Sequence, residues 1–222
     1  MKTVILWTGG KDSCIAFHEA VKAGHEVQCL ATFAPEQPDF LAHPLDAVKL
    51  QAAVTGIPHR QMTVTAPYKT SYVEQLRLLK TELGTEQVVT GDIDEVDGCA
   101  NWMETCCAEA GITLWRPLWK MNRREAMQKL DEHKIRFLIS CVMPDRLGPE
   151  WVGREFGAGN YEALLNESVQ KNFDLCGENG EYHSLVIDAA LYRKKILPKE
   201  MTTGNRNGFS HLLVSRWETV VK

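Results

Sequence analysis

The residues with the clearest chemical potential are residues 8–13, which read Thr-Gly-Gly-Lys-Asp-Ser. An apolar run precedes them and apolar residues spaced as one helix face follow, so the pattern predicts a turn between a buried strand and a helix N-terminus. Gly9 and Gly10 have no Cβ atom, which allows positive φ and a close approach of the backbone to a ligand. The N–H groups of the helix start, the Lys11 charge and two hydroxyls would then face one anion. The segment predicts a phosphate-binding loop.

The loop is not a Walker A motif, which has four residues between its first glycine and the Gly-Lys pair. It resembles the PP-loop of the N-type ATP pyrophosphatases, which cut ATP to AMP and pyrophosphate. That family usually has serine where this chain has Thr8, and the exchange keeps the hydroxyl. The resemblance implies that ATP is bound by every residue of the segment and that two of them are also catalytic. The ATP-binding set is Thr8, Gly9, Gly10, Lys11, Asp12 and Ser13, and its catalytic members are Lys11 and Ser13.

Composition limits the class of protein. The chain has 222 residues, a net charge of −4 and a pI near 6.0, which argues against a broad nucleic-acid surface. No apolar run reaches transmembrane length and no signal peptide precedes the first strand, so a cytoplasmic protein with no membrane partner is predicted. Seven cysteines without a Cys-x-x-Cys pair are then expected to be reduced thiols and not zinc ligands.

Strand and helix patterns alternate through the first half, which predicts a parallel sheet with helices on both faces. Strands are predicted at residues 4–7, 26–33, 59–64, 87–90 and 112–115, and later helices at 44–55, 68–83 and 98–110. The pattern changes beyond residue 120. A helix at 122–133, strands at 136–142, 182–187 and 210–220, and glycine-rich connections predict a smaller α+β domain. We therefore predict an ATP-binding domain over residues 1–120 and a substrate-binding domain over residues 121–222.

Further segments resemble one branch of the PP-loop superfamily, the diphthine–ammonia ligase family and its bacterial relatives. The matching segments are TGGKDS at 8–13, GDI at 91–93, RPLW at 116–119, EWVGR at 150–154 and GENGEYHSLV at 177–186. The resemblance implies a HUP-like five-stranded sheet in the order 3-2-1-4-5. It also implies an enzyme that activates a carboxylate with ATP and aminates it with ammonia. The chain departs from the usual pattern at His183-Ser184, where Glu-Thr commonly follows the tyrosine.

With this strand order, the topological switch lies between strands 1 and 4, and ligands bind beyond their carboxyl ends. Gly91 and Asp92 follow strand 4, so Gly91 is expected at the ATP site and Asp92 as a catalytic residue that holds Mg²⁺ or contacts the ribose or the substrate. A solvated acidic turn is the alternative. The end of strand 2 is expected to border the adenine through Ala31, Thr32 and Phe33.

The segment around residues 177–182 is the best candidate for binding the second substrate. Glu178 and Glu181 are two carboxylates three residues apart that are expected to orient an amine or keep ammonia unprotonated, with Glu181 catalytic. Tyr182 adds a hydroxyl and a ring face. Arg154 is expected to bind a phosphate or carboxylate, with a structural ion pair as the alternative. His43 matches a histidine of many family members and is expected near the substrate.

The sequence thus predicts an AMP-forming ligase that uses ATP, Mg²⁺, ammonia and a small-molecule or protein-borne carboxylate. A homo-oligomer is compatible with the sequence. No glutaminase segment is present, so ammonia is expected free or from a partner. One alternative is a tRNA-modifying or sulfur-transfer PP-loop enzyme, for which Cys106 and Cys107 would be nucleophiles. Their position on an apolar helix face favours burial instead. The other alternative is a non-catalytic ATP-binding module.

Overall fold

The first half of the chain forms the parallel sheet. The computed structural model describes residues 1–95 and 102–222. The five parallel strands are β1 (Lys2–Leu6), β2 (Glu26–Ala34), β3 (His59–Thr63), β4 (Gln87–Val89) and β5 (Thr113–Trp115). Their order across the sheet is β3-β2-β1-β4-β5, which confirms the predicted order. The carboxyl ends of β1 and β4 therefore lie side by side at the switch point.

Helices connect these strands, and glycines end two of them. The helices are α1 (Lys11–Lys22), α2 (Leu45–Thr55), α3 (Tyr68–Leu83), α4 (Trp102–Ala110) and α5 (Arg123–Glu132). Gly56 and Gly84 take left-handed conformations directly after α2 and α3, where a C-terminal glycine is favoured because it lacks a Cβ. The helix predicted at 98–110 is described from Trp102 onward, and residues 96–101 lie outside the described residues.

Successive residues of the parallel strands pack on opposite faces, as the period of two requires. In β1, Val4 packs in a cluster with Leu79 of α3, whereas Ile5 packs in another cluster with residues of α1 and α2. In β4, Val88 packs with residues of α3 and α4, whereas Val89 joins the α1 and α2 cluster. Helices therefore cover both faces of the sheet, as predicted.

The second sheet is antiparallel and has β6 (Arg136–Val142) at its centre. Its other strands are β7 (Glu155–Gly157), β8 (Tyr182–Asp188), β9 (Lys194–Arg206) and β10 (Phe209–Val221). The path of the sheet runs β7-β6-β10-β9, and β8 also pairs with β6. A turn at Asn207 and Gly208 joins β9 to β10, with φ values of 54° and 81°.

Two strands and one α-helix of the second half were not predicted from the sequence. They are β7, β9 and the helix α6 (Glu162–Lys171). Most residues of β9 are exposed or half-buried, so the strand has no hydrophobic alternation to identify it. No helix in the described part of the chain is long and apolar enough to cross a membrane.

One hydrophobic cluster joins the two sheets. Its buried members include Ile15 of α1, Val48 of α2, Phe137 of β6 and Val186 of β8. Helix α1 packs against the parallel sheet and also against β8, so it lies between the two sheets. The start of α1, where the glycine-rich loop lies, is thereby placed against the second half of the chain.

Candidate functional site

A closed set of hydrogen bonds holds the glycine-rich loop in shape. The Gly10 N–H donates to Thr8 Oγ1 at 3.3 Å, and Ser13 Oγ donates to the Gly10 carbonyl at 3.0 Å. Because the single proton of Ser13 is used there, the 3.2 Å bond between the two hydroxyls uses the proton of Thr8. Both predicted hydroxyls are therefore engaged within the loop in this structure. The amides of the first turn of α1 remain without intrahelical acceptors, as at any helix start.

Lys11 is buried between the loop and the second half of the chain, with 2% of its surface exposed. Its ammonium donates to the two Asp12 carboxylate oxygens at 3.0 and 2.8 Å and to the Cys176 carbonyl at 2.6 Å. It also lies 5.4 Å from the centre of the Tyr182 ring. Burial is the largest single influence and lowers the pKa of Lys11, but the attractions of Asp12, Tyr182, Cys176 and Glu178 together outweigh it and leave that pKa well above its ordinary value. Lys11 is therefore cationic throughout the neutral pH range.

Residues of α2 and β8 hold the glycine-rich loop through hydrogen bonds. The Gly9 carbonyl accepts bonds from the Val186 N–H at 2.9 Å and from Gln51 Nε2 at 2.9 Å. The same Gln51 nitrogen donates to the Val186 carbonyl at 2.8 Å. Gly9 has φ of +81°, and a Cβ there would lie 2.3 Å from Gln51 Oε1, so both backbone and packing require glycine. The fully buried Gln51 thus ties the loop to the second sheet.

The segment after β4 packs directly on the start of α1. A Cβ at Gly91 would lie 2.4 Å from the carbonyl carbon of Asp12 and 2.6 Å from the Ser13 nitrogen, so only glycine fits without movement of the backbone. The neighbouring Asp92 accepts a 2.8 Å hydrogen bond from Thr90. The two segments predicted to meet at the switch point are therefore in contact.

Residues 174–181, which precede β8, form an acidic loop in which the two glutamates have different contacts. The Glu181 carboxylate is buried and accepts from the Asp174 N–H at 2.9 Å and from the Asn179 N–H at 3.0 Å. Glu181 therefore organises the loop, whereas Glu178 lines the cleft described below. Burial, followed by repulsion from Asp12, raises the pKa of Glu178 to about 7, although Lys11 opposes the shift.

A cleft of about 650 Å³ lies between the glycine-rich loop, the β4 loop and the acidic loop. It brings together most of the predicted residues. Those that line it are Thr8, Gly10, Lys11, Asp12, Ser13, His43, Gly91, Asp92, Glu178 and Tyr182. Phosphate-binding donors and carboxylates thus face one cavity from both halves of the chain.

A smaller and mostly apolar cavity of about 270 Å³ adjoins the cleft. Ala31, Thr32 and Phe33, the residues predicted to border the adenine, line this cavity, and His43 and Tyr72 line both cavities. The Phe33 and Tyr72 rings stack with their centres 4.6 Å apart and thereby extend an aromatic wall. Such a wall suits a planar base.

His43 stands where the two cavities meet. Burial, with His183 and Lys11 nearby, lowers the pKa of His43 to about 3, so its imidazole is neutral near pH 7. Its Nδ1 atom is buried and has no hydrogen-bond partner among the described residues. A neutral ring with an unused nitrogen fits contact with a polar group of a bound ligand.

Three of the predicted residues are not among the described residues that line either cavity. They are Gly9, which packs against Gln51, Glu181, for the reason given above, and Arg154. The Arg154 guanidinium lies 3.8 Å from the centre of the Trp151 ring and 5.3 Å from that of Phe156. Its partners are therefore aromatic rings of the second half of the chain, a contact that stabilises through cation–π attraction.

A chain of ion pairs connects the β4 loop to the acidic loop. Asp94 pairs with Lys120 and, at 3.1 Å, with Arg123, whose Nε donates to Asp174 at 2.7 Å. Asp174 in turn accepts from the Cys176 N–H at 2.7 Å. These contacts hold the acidic loop against the segment that follows β4.

The described cysteines do not favour sulfur-transfer chemistry. Cys106 and Cys107 are buried among residues of α3 and α4, and burial raises the pKa of Cys107 to about 12. Burial also raises the pKa of Cys176 to about 12, although this residue lines the cleft. Reactive cysteines need the opposite shift, because the thiolate is the nucleophile. Cys99 lies outside the described residues.

The glycine-rich turn at the switch point of a 3-2-1-4-5 parallel sheet, with a cleft at its mouth, defines a PP-loop protein with an α/β nucleotide-binding fold. Comparison with known families gives the narrower assignment. The model of the diphthamide synthase N-terminal domain matches residues 1–114, and that of the diphthamide synthase C-terminal domain matches residues 122–217. The chain belongs to the diphthamide synthase family.

Curated relatives agree with this assignment over nearly the whole chain. The diphthine–ammonia ligase of Bos taurus is 26% identical over 244 residues, which cover 98% of this chain and 91% of the relative. The diphthine–ammonia ligase of Danio rerio is 27% identical and covers 89% of this chain and 86% of the relative. Among solved structures, a predicted subunit of tRNA methyltransferase from Methanocaldococcus jannaschii aligns with a TM-score of 0.49 at 14% identity, over 85% of this chain and 98% of that one.

Proposed function

We propose that the protein is an ATP-dependent ligase that adenylates a substrate carboxylate, releases pyrophosphate and then forms an amide with ammonia. The observation that carries the proposal is the single cleft in which the glycine-rich loop and Asp92 face Glu178 and Tyr182 of the acidic loop. The relatives named diphthine–ammonia ligase support the same reaction class. Residues 1–120 are proposed to bind the nucleotide, and residues 121–222 are proposed to bind the acceptor, which is the substrate that carries the carboxylate.

The nucleotide half is proposed to bind ATP with its adenine in the apolar cavity and its phosphates at the start of α1. An attack by the substrate carboxylate on the α-phosphorus forms a phosphorus–oxygen bond and breaks the bond to the β-phosphate. Negative charge then builds up on the departing pyrophosphate. Lys11 and the amide groups of the loop are proposed to stabilise that charge, because they are cationic or donor groups fixed before the reaction.

Mg²⁺ is proposed to accompany the phosphates. The carboxylates of Asp12, Asp92 and Glu178 line the cleft, and a hard cation prefers such oxygens together with phosphate. Bound there, the ion would neutralise phosphate charge, with Asp92 as its proposed ligand.

The acceptor half is proposed to supply the base for amide formation. Ammonia attacks the acyl carbon, a carbon–nitrogen bond forms and AMP leaves with the former carboxylate oxygen. Ammonium must lose a proton before it can attack. Glu178 lies in the same cleft and has a pKa of about 7, so it can accept that proton near neutral pH. Glu181 is proposed to act through the loop that it organises.

The products of ATP cleavage test the proposal. Incubation with ATP labelled in the α and γ phosphates, Mg²⁺, ammonium and a pool of carboxylic acids from a cell extract is expected to release labelled AMP and pyrophosphate. The expectation follows from the PP-loop geometry at the start of α1. The pool of carboxylic acids is then separated into fractions, and each fraction is assayed for ATP-dependent AMP formation. ADP and orthophosphate as the sustained products would refute the assignment, and absence of any turnover with every fraction would favour a binding module.

A second test uses pH and Glu178→Gln. The wild-type rate of amide formation is expected to rise between about pH 6 and pH 8 as Glu178 loses its proton, and the variant should lose this inflection. Glu178→Asp, which keeps a carboxylate, should retain one. Rates measured at saturating ATP across this range decide the matter. An unchanged inflection in Glu178→Gln would remove Glu178 from the proposed role.

The pH dependence of folding stability gives an independent test of the raised pKa of Glu178. The pKa of Glu178 in the folded protein, about 7, lies above the value of about 4.3 in an unfolded chain, so the folded state binds the proton more tightly. Wild-type stability should therefore lose this contribution as pH rises from about 4.3 to 7. Glu178→Gln has no such loss. Its melting temperature relative to wild type should be higher at pH 8 than at pH 5.

A further inference from the structure

We propose that the hydroxyl of Ser184, on β8 of the second sheet, is a ligand of the ATP phosphates and completes the phosphate-binding loop of the first domain. This inference deepens the proposed function and rests on it. It assigns a phosphate contact to the half of the chain that is proposed to bind the acceptor.

The position of β8 is the first observation. Tyr182, Ser184 and Val186 alternate along the strand, and each contacts the glycine-rich loop. The Tyr182 ring lies under the Lys11 ammonium, and the Val186 N–H donates to the Gly9 carbonyl. Between them, Ser184 Oγ accepts a 3.0 Å hydrogen bond from the Lys11 N–H. The strand therefore forms a wall of the loop.

The second observation is the place that the Ser184 hydroxyl occupies. The residue before α1, Gly10, has no side chain to cap the helix, so the Lys11 amide is capped from a residue 173 positions later in the chain. A cap at this end of a helix occupies the position in which an anion is favoured. Ser184 is buried, with 4% of its surface exposed, yet it lines the cleft.

The third observation concerns the proton of that hydroxyl. Thr8 donates its proton to Ser13, and Ser13 donates its proton to the Gly10 carbonyl. Ser184 accepts from Lys11, and its own proton has no acceptor among the described residues. Of these three hydroxyls on the cleft wall, only that of Ser184 can therefore donate to a phosphate without breaking a bond of the loop.

The two hydrogen bonds of Gln51 explain how Ser184, from the other half of the chain, can be positioned for this role. Gln51 Nε2 donates to the carbonyls of both Gly9 and Val186, so it fixes the distance between the loop and β8. Ser184 lies two residues before Val186 and is held by the same register. Gln51 is thus a positioning residue, whereas Ser184 is a direct ligand.

Binding measurements on three variants test the inference. Isothermal titration with magnesium pyrophosphate, with ATP and with adenosine is carried out on wild type, Ser184→Ala and Ser184→Thr. Removal of a hydrogen bond to a charged phosphate is expected to weaken pyrophosphate and ATP binding by about tenfold. Adenosine binding should be unchanged, and Ser184→Thr should restore pyrophosphate binding because it keeps the hydroxyl. Ser168→Ala removes a buried hydroxyl that donates to the Leu165 carbonyl of α6, and it serves as the matched control.

The outcomes separate this inference from the proposed function. Wild-type binding of ATP and pyrophosphate, together with unchanged binding in Ser184→Ala, would overturn the role of Ser184 and leave the proposed function standing. Loss of adenosine binding in Ser184→Ala to the same degree as pyrophosphate binding would also overturn it, because the effect would then lie in the fold. Failure of the wild type to bind either phosphate ligand would overturn both.

Discussion

Lys11→Met is expected to lower the rate of AMP and pyrophosphate formation by at least about a hundredfold, the usual cost of removing one fixed group that stabilises transition-state charge. Methionine keeps much of the length and removes the ammonium. Because this ammonium donates to the buried Cys176 carbonyl, the change should also destabilise the fold by about 1–3 kcal/mol. The rate is therefore measured well below the melting temperature of the variant, where all of the protein is folded.

Lys22→Met is the matched control, since Lys22 ends the same helix but is exposed and pairs with Glu132 at the surface. It should leave the rate within about twofold, because surface ion pairs contribute little. A fully folded Lys11→Met protein that retains more than about a tenth of the wild-type rate would show that Lys11 serves the fold and not the phosphates.

Gly91→Ala is expected to reduce activity to a similar degree through geometry alone. The added Cβ would lie 2.4 to 2.6 Å from backbone atoms of Asp12 and Ser13, which have no side-chain freedom to move away. Overpacking of this kind costs about 1–3 kcal/mol. The start of α1 must also shift, and a displacement of about 1 Å in a catalytic group can lower a rate by about a hundredfold. The rate per folded molecule and the melting temperature are measured together.

Gly24→Ala provides the control for Gly91→Ala. Gly24 has φ of +77° and open space around it, so alanine there is strained but meets no neighbour. It should lose about 1–2 kcal/mol of stability and keep its rate. If Gly91→Ala also lost only stability, the contact between the β4 loop and α1 would have no part in positioning the phosphates.

The parallel sheet was predictable because its signals are local. The apolar strand at residues 4–7, the glycines that follow α2 and α3, and the turn at residues 8–13 are each recognisable within a short window of sequence. The strand order came from the family resemblance. In the second half, β9 pairs with β10 along its length but exposes most of its side chains, so no periodicity identified it. Its pairing depends on a partner strand and not on its own pattern.

The direction of individual side chains in the site could not be read in the same way. Lys11 contacts the Cys176 carbonyl, 165 residues away, and Gln51 contacts Val186, 135 residues away. No local pattern marks Gln51, which lies on a helix of ordinary composition. The two glutamates of the acidic loop are the same residue type, yet Glu181 binds backbone amides and Glu178 lines the cleft. The difference depends on how the loop folds back on itself.

The hydrophobic cluster shared by the two sheets has a thermodynamic consequence. Since Ile15 and Val48 pack in one cluster with Phe137 and Val186, each half would expose its part of this shared cluster if the other half unfolded. The chain should therefore unfold as one cooperative unit. Any molecule that binds only the folded chain stabilises the whole unit, so a ligand held by one half also protects the other half from unfolding.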